Sequence, residues 1–139
     1  MNTSKYSYYL VIDLEATCCD LKSISRREME IIEIGAVMVD SRNLQVIDEF
    51  QVFIKPIRHP ILTPFCLELT KISQDDVDNA PLFPDAISQL RNWLNKYDNF
   101  VFCSWGDYDR KQFEQDCQFH KVSYPLRRQH INLKQEFTN

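Results

Sequence analysis

The stretch YYLVI, Tyr8 to Ile12, is an unbroken run of apolar and aromatic residues that passes directly into Asp13, Leu14 and Glu15. A short continuous run of this kind is the pattern of a strand buried on both faces. Residues i and i+2 of a strand share a face, so Asp13 and Glu15 project together where the strand ends, provided that it persists through both. Two like charges on one face repel unless a cation, a proton or open water lies between them. The rest of the chain has to supply one of these.

Downstream, EIIEIGAVMVD (Glu30 to Asp40) reads as a second strand, Ser41 to Asn43 as a turn, and LQVIDEFQVFIKP (Leu44 to Pro56) as a third strand. The three strands are expected to form an antiparallel meander. Two prolines make residues 57–65 largely irregular. A short helix is expected near Thr63 or Pro64, because threonine before proline suits an N-cap and the first helical position. SQDDV offers a second cap at Ser73, with acidic residues in the first turn. Phe83, Ile87, Leu90 and Leu94 recur at helical spacing and predict a helix over Pro84 to Tyr97. FVFCSW (Phe100 to Trp105) reads as a fourth strand. A helix opens from about Asp107, the expected N-cap, with Phe113, Cys117 and His120 inward, and QHINLKQEF reads as a short strand leading into a helix. This order of elements is an α/β arrangement with a mixed sheet.

At 139 residues with 44% hydrophobic content, the chain has room for one domain spanning 1–139. Its formal net charge of −4 argues against holding nucleic acid mainly through a basic surface. It does not argue against a nuclease, whose acidic site a metal can neutralise. No stretch approaches the roughly 20 apolar residues that span a bilayer, and MNTSKYS lacks the build of a signal peptide, so an intracellular, cytoplasmic protein without membrane partners is expected. The five cysteines, odd in number, fit reduced thiols. Cys117 and His120 lack the second close pair that a zinc site needs.

Ligands of open α/β sheets bind at the carboxyl ends of strands, where Asp13 and Glu15 lie, and Asp109 follows the fourth strand in the same way. If the first and fourth strands are neighbours, three carboxylates converge. Such an oxygen-rich setting suits Mg²⁺ or Mn²⁺, and two ions about 3.5–4 Å apart can hold the attacking water and the leaving oxygen of a phosphodiester in line. The bare D-x-E carries little weight, since about 0.7 would occur by chance in a chain of this acidity. From the residues alone, a metal site and two solvated side chains at a strand end remain alternatives.

The blocks VIDLEATC, EIIEIGAVMVD, FIKP, LTPFCLELTKISQDDVDNAPLFPDAI and SWGDYDRKQF, in this order from about Tyr8 to Phe137, resemble the DEDDh family of 3′-to-5′ exonucleases. The likeness is greatest to the branch of the histone-mRNA 3′-end exonuclease and the enhancer-of-RNA-interference exonuclease. The resemblance implies a ribonuclease H-like fold and hydrolysis by two divalent ions, Mg²⁺ or Mn²⁺. The implied substrate is single-stranded 3′ ends, with RNA expected before DNA. By motif, Asp13, Glu15 and Asp109 match three acidic metal ligands. Tyr108, Asp109 and Phe113 fit the family's aromatic, ligand and phenylalanine spacing, which leaves Asp107 as a neighbour. Ala16 and Thr17 match positions beside the terminal nucleotide, although Thr17 equally suits a tight strand exit. Phe65 and Tyr108 are candidates for a base-stacking wall or for core.

The family's last motif, a histidine followed five residues later by an aspartate, has no match. His59, His120 and His130 are followed at that distance by Pro64, Pro125 and Gln135. The histidine would act as general base and the aspartate would complete the metal site, so the resemblance implies an incomplete C-terminal part and an impaired 139-residue form. Two other functions remain in view. One is a non-catalytic nucleic-acid-binding or adaptor module of the same fold. The other is a phosphatase of the haloacid dehalogenase type, to whose D-x-D-x-T the segment VIDLEAT comes close, although the later blocks do not fit it.

Overall fold

The computed structural model describes residues 5–20 and 24–138; the first four residues, part of the reading of MNTSKYS, lie outside them. Five strands form one sheet in the order β3-β2-β1-β4-β5. β1 (Tyr8–Ala16), β2 (Ile31–Asp40) and β3 (Val46–Phe53) are the antiparallel meander, and β4 (Phe100–Ser104) lies parallel to β1 on its other side, with β5 (His130–Asn132) parallel to β4. The first and fourth strands are thus the neighbours that a shared carboxylate site requires. The mixed sheet and its flanking helices bear out the α/β, ribonuclease H-like expectation.

β1 runs four residues beyond its apolar stretch because its ladder with β2 continues to the pair Ala16 and Ile31. The register shifts between Glu15 and Ala16, which makes Ile32 the extra residue of a bulge. Ile31 and Ile32 can therefore both be buried, yet in different clusters. The main core sets Leu10, Ile12 and Leu14 of β1, with Ile34, Ala36 and Met38 of β2, against α3 (Phe83–Leu94) and α4 (Tyr108–His120). Full burial of side chains as large as Ile12, Phe102 and Phe113 contributes about 1.5–3 kcal/mol each. The second cluster gathers Ile32, Leu62, Cys66, Ile72 and Val77 beneath α1 (Pro64–Thr70) and α2 (Gln74–Asp78).

Both short helices begin as their sequences require. The Thr63 hydroxyl accepts from the Cys66 N–H, and Ser73 and Asp76 form a reciprocal capping box. β3 is shorter than expected at both ends. Leu44 takes a left-handed turn conformation with φ 60°, and past Phe53 the chain leaves the ladder toward Pro81, whose carbonyl accepts from Lys55. α3 begins one residue earlier and ends three residues sooner than the apolar spacing implied. No helix among the described residues is long and apolar enough to cross a membrane.

Candidate active site

Because β1 persists through Ala16, Asp13 and Glu15 share a face of the sheet opposite to that of Ile12 and Leu14. Asp109 reaches them from the first turn of α4, where a carboxylate also complements the helix dipole. Its Oδ2 accepts the backbone N–H of Leu14 at 3.3 Å, which ties the helix start between the two strand carboxylates. Burial, then the charge of Asp13, pushes the Asp109 carboxyl up to about 6. Glu15 is raised as well, first by burial and then by Asp13, by Glu33 directly across the ladder, and by Asp109. The three residues singled out by spacing are therefore brought close enough to repel one another. Glu33 joins their field while accepting a hydrogen bond from Gln51.

Among the described residues no lysine, arginine or histidine pairs with Asp13, Glu15 or Asp109. As they stand, no three acidic, histidine or cysteine side chains there converge tightly enough to grip a single ion. The donor set is nonetheless suited to hard divalent cations. It consists of carboxylate oxygens, those of Glu15 and Asp109 with raised affinity for positive charge; Asp13 is exposed, and among the described residues no lysine, arginine or histidine pairs with them.

The strand exit is fixed by pairwise bonds. Thr17 donates its backbone N–H to the Glu30 carbonyl at 2.8 Å and its hydroxyl accepts the Glu30 N–H at 2.9 Å, so this buried side chain serves the exit itself. Ala16 is buried beside it, its carbonyl facing the Cys66 thiol at 3.8 Å. The Thr63 hydroxyl donates to the Cys18 carbonyl at 2.6 Å. Together these bonds dock the first turn of α1 on the strand exit and place Phe65 nearby. Phe65 and Tyr108 are 38% and 37% exposed, so neither is simply core. All five cysteines are free thiols, and burial raises the Cys18 thiol, which leaves it a poor nucleophile.

Asp107 holds the N-cap position of α4 but makes no capping hydrogen bond. Its carboxylate faces His130 Nδ1 at 3.7 Å and Arg110 at 3.8 Å. His130 Nε2 lies 2.8 Å from the Ser104 hydroxyl, which donates to the Gly106 carbonyl at 3.0 Å. The Gly106 N–H in turn bonds Asn132 Oδ1 at 3.0 Å. This network braces the turn at 105–107 from which α4 departs, and so sets where Asp109 falls. Among the described residues, none of the three histidines is free to serve the carboxylates. His59 pairs with Glu28 at 3.5 Å, His120 stacks on Phe83 at 4.9 Å, and His130 is held by Ser104.

Two further carboxylates were not identified from sequence. Buried Glu30 accepts the backbone N–H groups of Ile57, Arg58 and His59 at 2.8–3.0 Å. Buried Asp116 accepts Ile31 N–H at 2.8 Å and the Gln112 amide at 2.8 Å. Both fasten the segment around Glu30 and Ile31 that in turn holds Thr17. The only signal in the sequence was a charged residue at an inward position, as Asp116 is on the Phe113 and Cys117 face.

The exonuclease family described as RNase T matches residues 10–137. Human ERI1 exoribonuclease 3 is 33% identical over 144 residues, covering 96% of this chain and 41% of that protein. Human 3′-5′ exoribonuclease 1 is 31% identical, covering 98% of the chain and 41% of its own length. Among solved structures, the nuclease domain of 3′hExo, a DEDDh family member bound to rAMP, superposes with a TM-score of 0.88 at 31% identity. That match covers 98% of this chain and 71% of the other. The cell-death related nuclease 4, CRN-4, gives 0.87 at 25% identity, covering 96% and 47%. The chain spans about two fifths of the length of the curated relatives it matches.

Proposed function

Since the chain belongs to the RNase T exonuclease family, we propose that it is the greater part of a single exonuclease domain that hydrolyses single-stranded RNA from the 3′ end. The observation that carries this reading is the meeting of Asp13 and Glu15 from the end of β1 with Asp109 from α4, locked by the Leu14 N–H. Divalent ions, Mg²⁺ or Mn²⁺, held by these three residues would supply charge neutralisation for the phosphate and activation of the attacking water. The chain's own residues hold the strand. Ala16, with a small buried side chain, lets the sugar approach the strand exit, while Thr17 keeps that exit rigid. Phe65 and Tyr108 offer partly exposed aromatic rings for stacking of the terminal bases. The 3′hExo structure with rAMP and a solved structure of histone mRNA stem-loop recognition by a 3′-exonuclease support RNA as the substrate class.

A second reading is favoured by the engagement of all three histidines away from the carboxylates. On this reading the 139-residue polypeptide, assayed alone, binds a 3′ end but turns it over poorly, because loss of a general base costs about 10² to 10⁴ in rate. One experiment separates the two. A 5′-labelled single-stranded RNA, and its DNA counterpart, is incubated with the protein and Mn²⁺ while shortening from the 3′ end and binding are both followed. Progressive shortening that is abolished in Asp13→Asn identifies the active exonuclease. Metal-dependent binding without shortening identifies the impaired form, and absence of both overturns the assignment.

A further inference from the structure

Along α4 from Tyr108, the residue before Asp109, runs a groove of about 370 Å³ lined by Arg26, Arg27, Tyr108, Lys111, Gln112 and Gln115. Resting on the proposed 3′-end site, we infer that this groove carries the phosphates of the RNA strand upstream of its terminal nucleotide, with Arg26, Arg27 and Lys111 as the contacting cations.

The groove is built rather than incidental. Arg26 and Arg27 sit on a 3₁₀ turn, Arg26–Glu28, that the Gln115 amide fastens to α4 by bonds to the Arg26 and Arg27 carbonyls at 3.0 and 3.2 Å. Gln112 holds the adjoining Met29 carbonyl at 2.8 Å. Tyr108, Lys111, Gln112 and Gln115 recur at helical spacing, so they share one face of α4 over about 10 Å at 1.5 Å per residue. Among the described residues no carboxylate pairs with Arg26, Arg27 or Lys111. In a chain of net charge −4, three cations in one groove without a carboxylate partner among the described residues call for anions from outside. Tyr108 links groove and site. It immediately precedes Asp109, its ring carries the Arg26 guanidinium 4.5 Å from the centroid, and its hydroxyl meets the Met29 sulfur at 3.8 Å. An aromatic face backed by a guanidinium and flanked by further cations is the chemistry that tracks a single strand.

A second basic groove, lined among others by Lys121, Arg127 and Arg128, lies at the far end of α4. There Arg127 is already spent on the Asp98 carbonyl and the Phe100 ring. It serves as the control.

The test measures binding, in Mn²⁺, of AMP and of a single-stranded RNA of about six nucleotides, a length within one single-strand site. The proteins are the 139-residue chain, the triple variant Arg26→Gln, Arg27→Gln, Lys111→Gln, and the control Lys121→Asn, Arg128→Gln. Each single-strand phosphate contact contributes about 0.7 to the slope of log affinity against log salt. The triple variant is expected to lose about 2 from that slope for the hexanucleotide, so that its affinity falls about 20-fold less than the parent's between 50 and 200 mM salt. AMP binding stays unchanged, the control behaves as the parent, and Arg26→Lys with Arg27→Lys retains the slope. An unchanged slope in the triple variant overturns the groove, as does an equal loss for AMP and the hexanucleotide. If AMP binding proves independent of Asp13 while the hexanucleotide still shows the slope loss, the groove stands and the 3′-end reading of the carboxylates fails.

Discussion

The backbone N–H of Leu14 donates to the Asp109 carboxylate at 3.3 Å across 95 residues of sequence, joining the end of β1 to the start of α4. The same bond holds Asp109 within the field of Asp13, which together with burial raises it to about 6. The fold therefore tolerates a repulsion that a cation would relieve. Asp109→Asn keeps an oxygen for the Leu14 N–H and removes one of the like charges. In metal-free buffer at pH 7, this substitution is expected to stabilise the protein by about 1 kcal/mol after allowance for solvent screening, or about 3 °C in Tm. It should also lose most of the thermal shift that millimolar Mn²⁺ gives the parent. Thermal melts with and without Mn²⁺ check both parts; a variant that melts lower without metal, or responds to Mn²⁺ as the parent does, contradicts the account.

Glu30 gathers three backbone N–H groups from the segment after β3, and its own backbone clasps Thr17. Removing the carboxylate strands donors that have little access to water, and bonds to a charged acceptor are the stronger kind. Glu30→Ala is expected to cost about 3 kcal/mol and Glu30→Gln, which keeps one acceptor oxygen, about 1 kcal/mol. Urea unfolding with unchanged m-values measures the difference. Equal losses for the two variants would show that side-chain volume matters there rather than the acceptor.

Asp116 gives the stability of this fold a pH dependence in a definite direction. Burial raises its carboxyl to about 6 despite the bonds from Ile31 and Gln112, which lower it. Between pH 4, near the unfolded value, and pH 6 the folded state binds more protons than the unfolded one. Its contribution is fully present below the unfolded value and is lost as pH rises through about 6, and about 2 kcal/mol of it goes between pH 4 and 6. Asp116→Asn should flatten that part of the profile, although its absolute stability also changes because the Gln112 amide loses an acceptor. Denaturation midpoints between pH 4 and 7, in EDTA, give the slopes. An Asp116→Asn profile with the same slope as the parent's over this window contradicts the assignment.

What could be read from the sequence follows from how local each cause is. The side-chain parity of Asp13 and Glu15, the Thr63 and Ser73 caps, and the apolar spacing of α3 are each set within a few residues. The structure places them as read, with end positions moved by one to three residues. Convergence of Asp109 on β1 could be stated only as a condition, because strand neighbours are a matter of topology. Glu30 and Asp116 were legible at most as charges, Asp116 with an inward helical position. The backbone groups they hold lie 27 to 29 and 85 residues away, so their roles could not be read locally. The pair Arg26 and Arg27 was likewise visible as charge, but not as the wall of a groove against Lys111.

Ser104, His130 and Asp107 line up as hydroxyl, imidazole and carboxylate, with contacts of 2.8 and 3.7 Å. The arrangement resembles a nucleophilic triad, yet its hydroxyl is held inside the fold. The Ser104 side chain is fully buried, with the Gly106 carbonyl at 3.0 Å and His130 Nε2 at 2.8 Å as its partners, so it is not presented to a substrate. Its role is to brace the turn before α4. Ser104→Ala is expected to cost about 1–2 kcal/mol, because it removes a hydrogen-bond partner from a nearly buried imidazole. The parent should take up no fluorophosphonate, the reagent that marks activated serines. Mass spectrometry after incubation with such a reagent reads the second point directly. An adduct on Ser104 would show that the hydroxyl is both reachable and activated, and would assign this cluster a chemistry of its own.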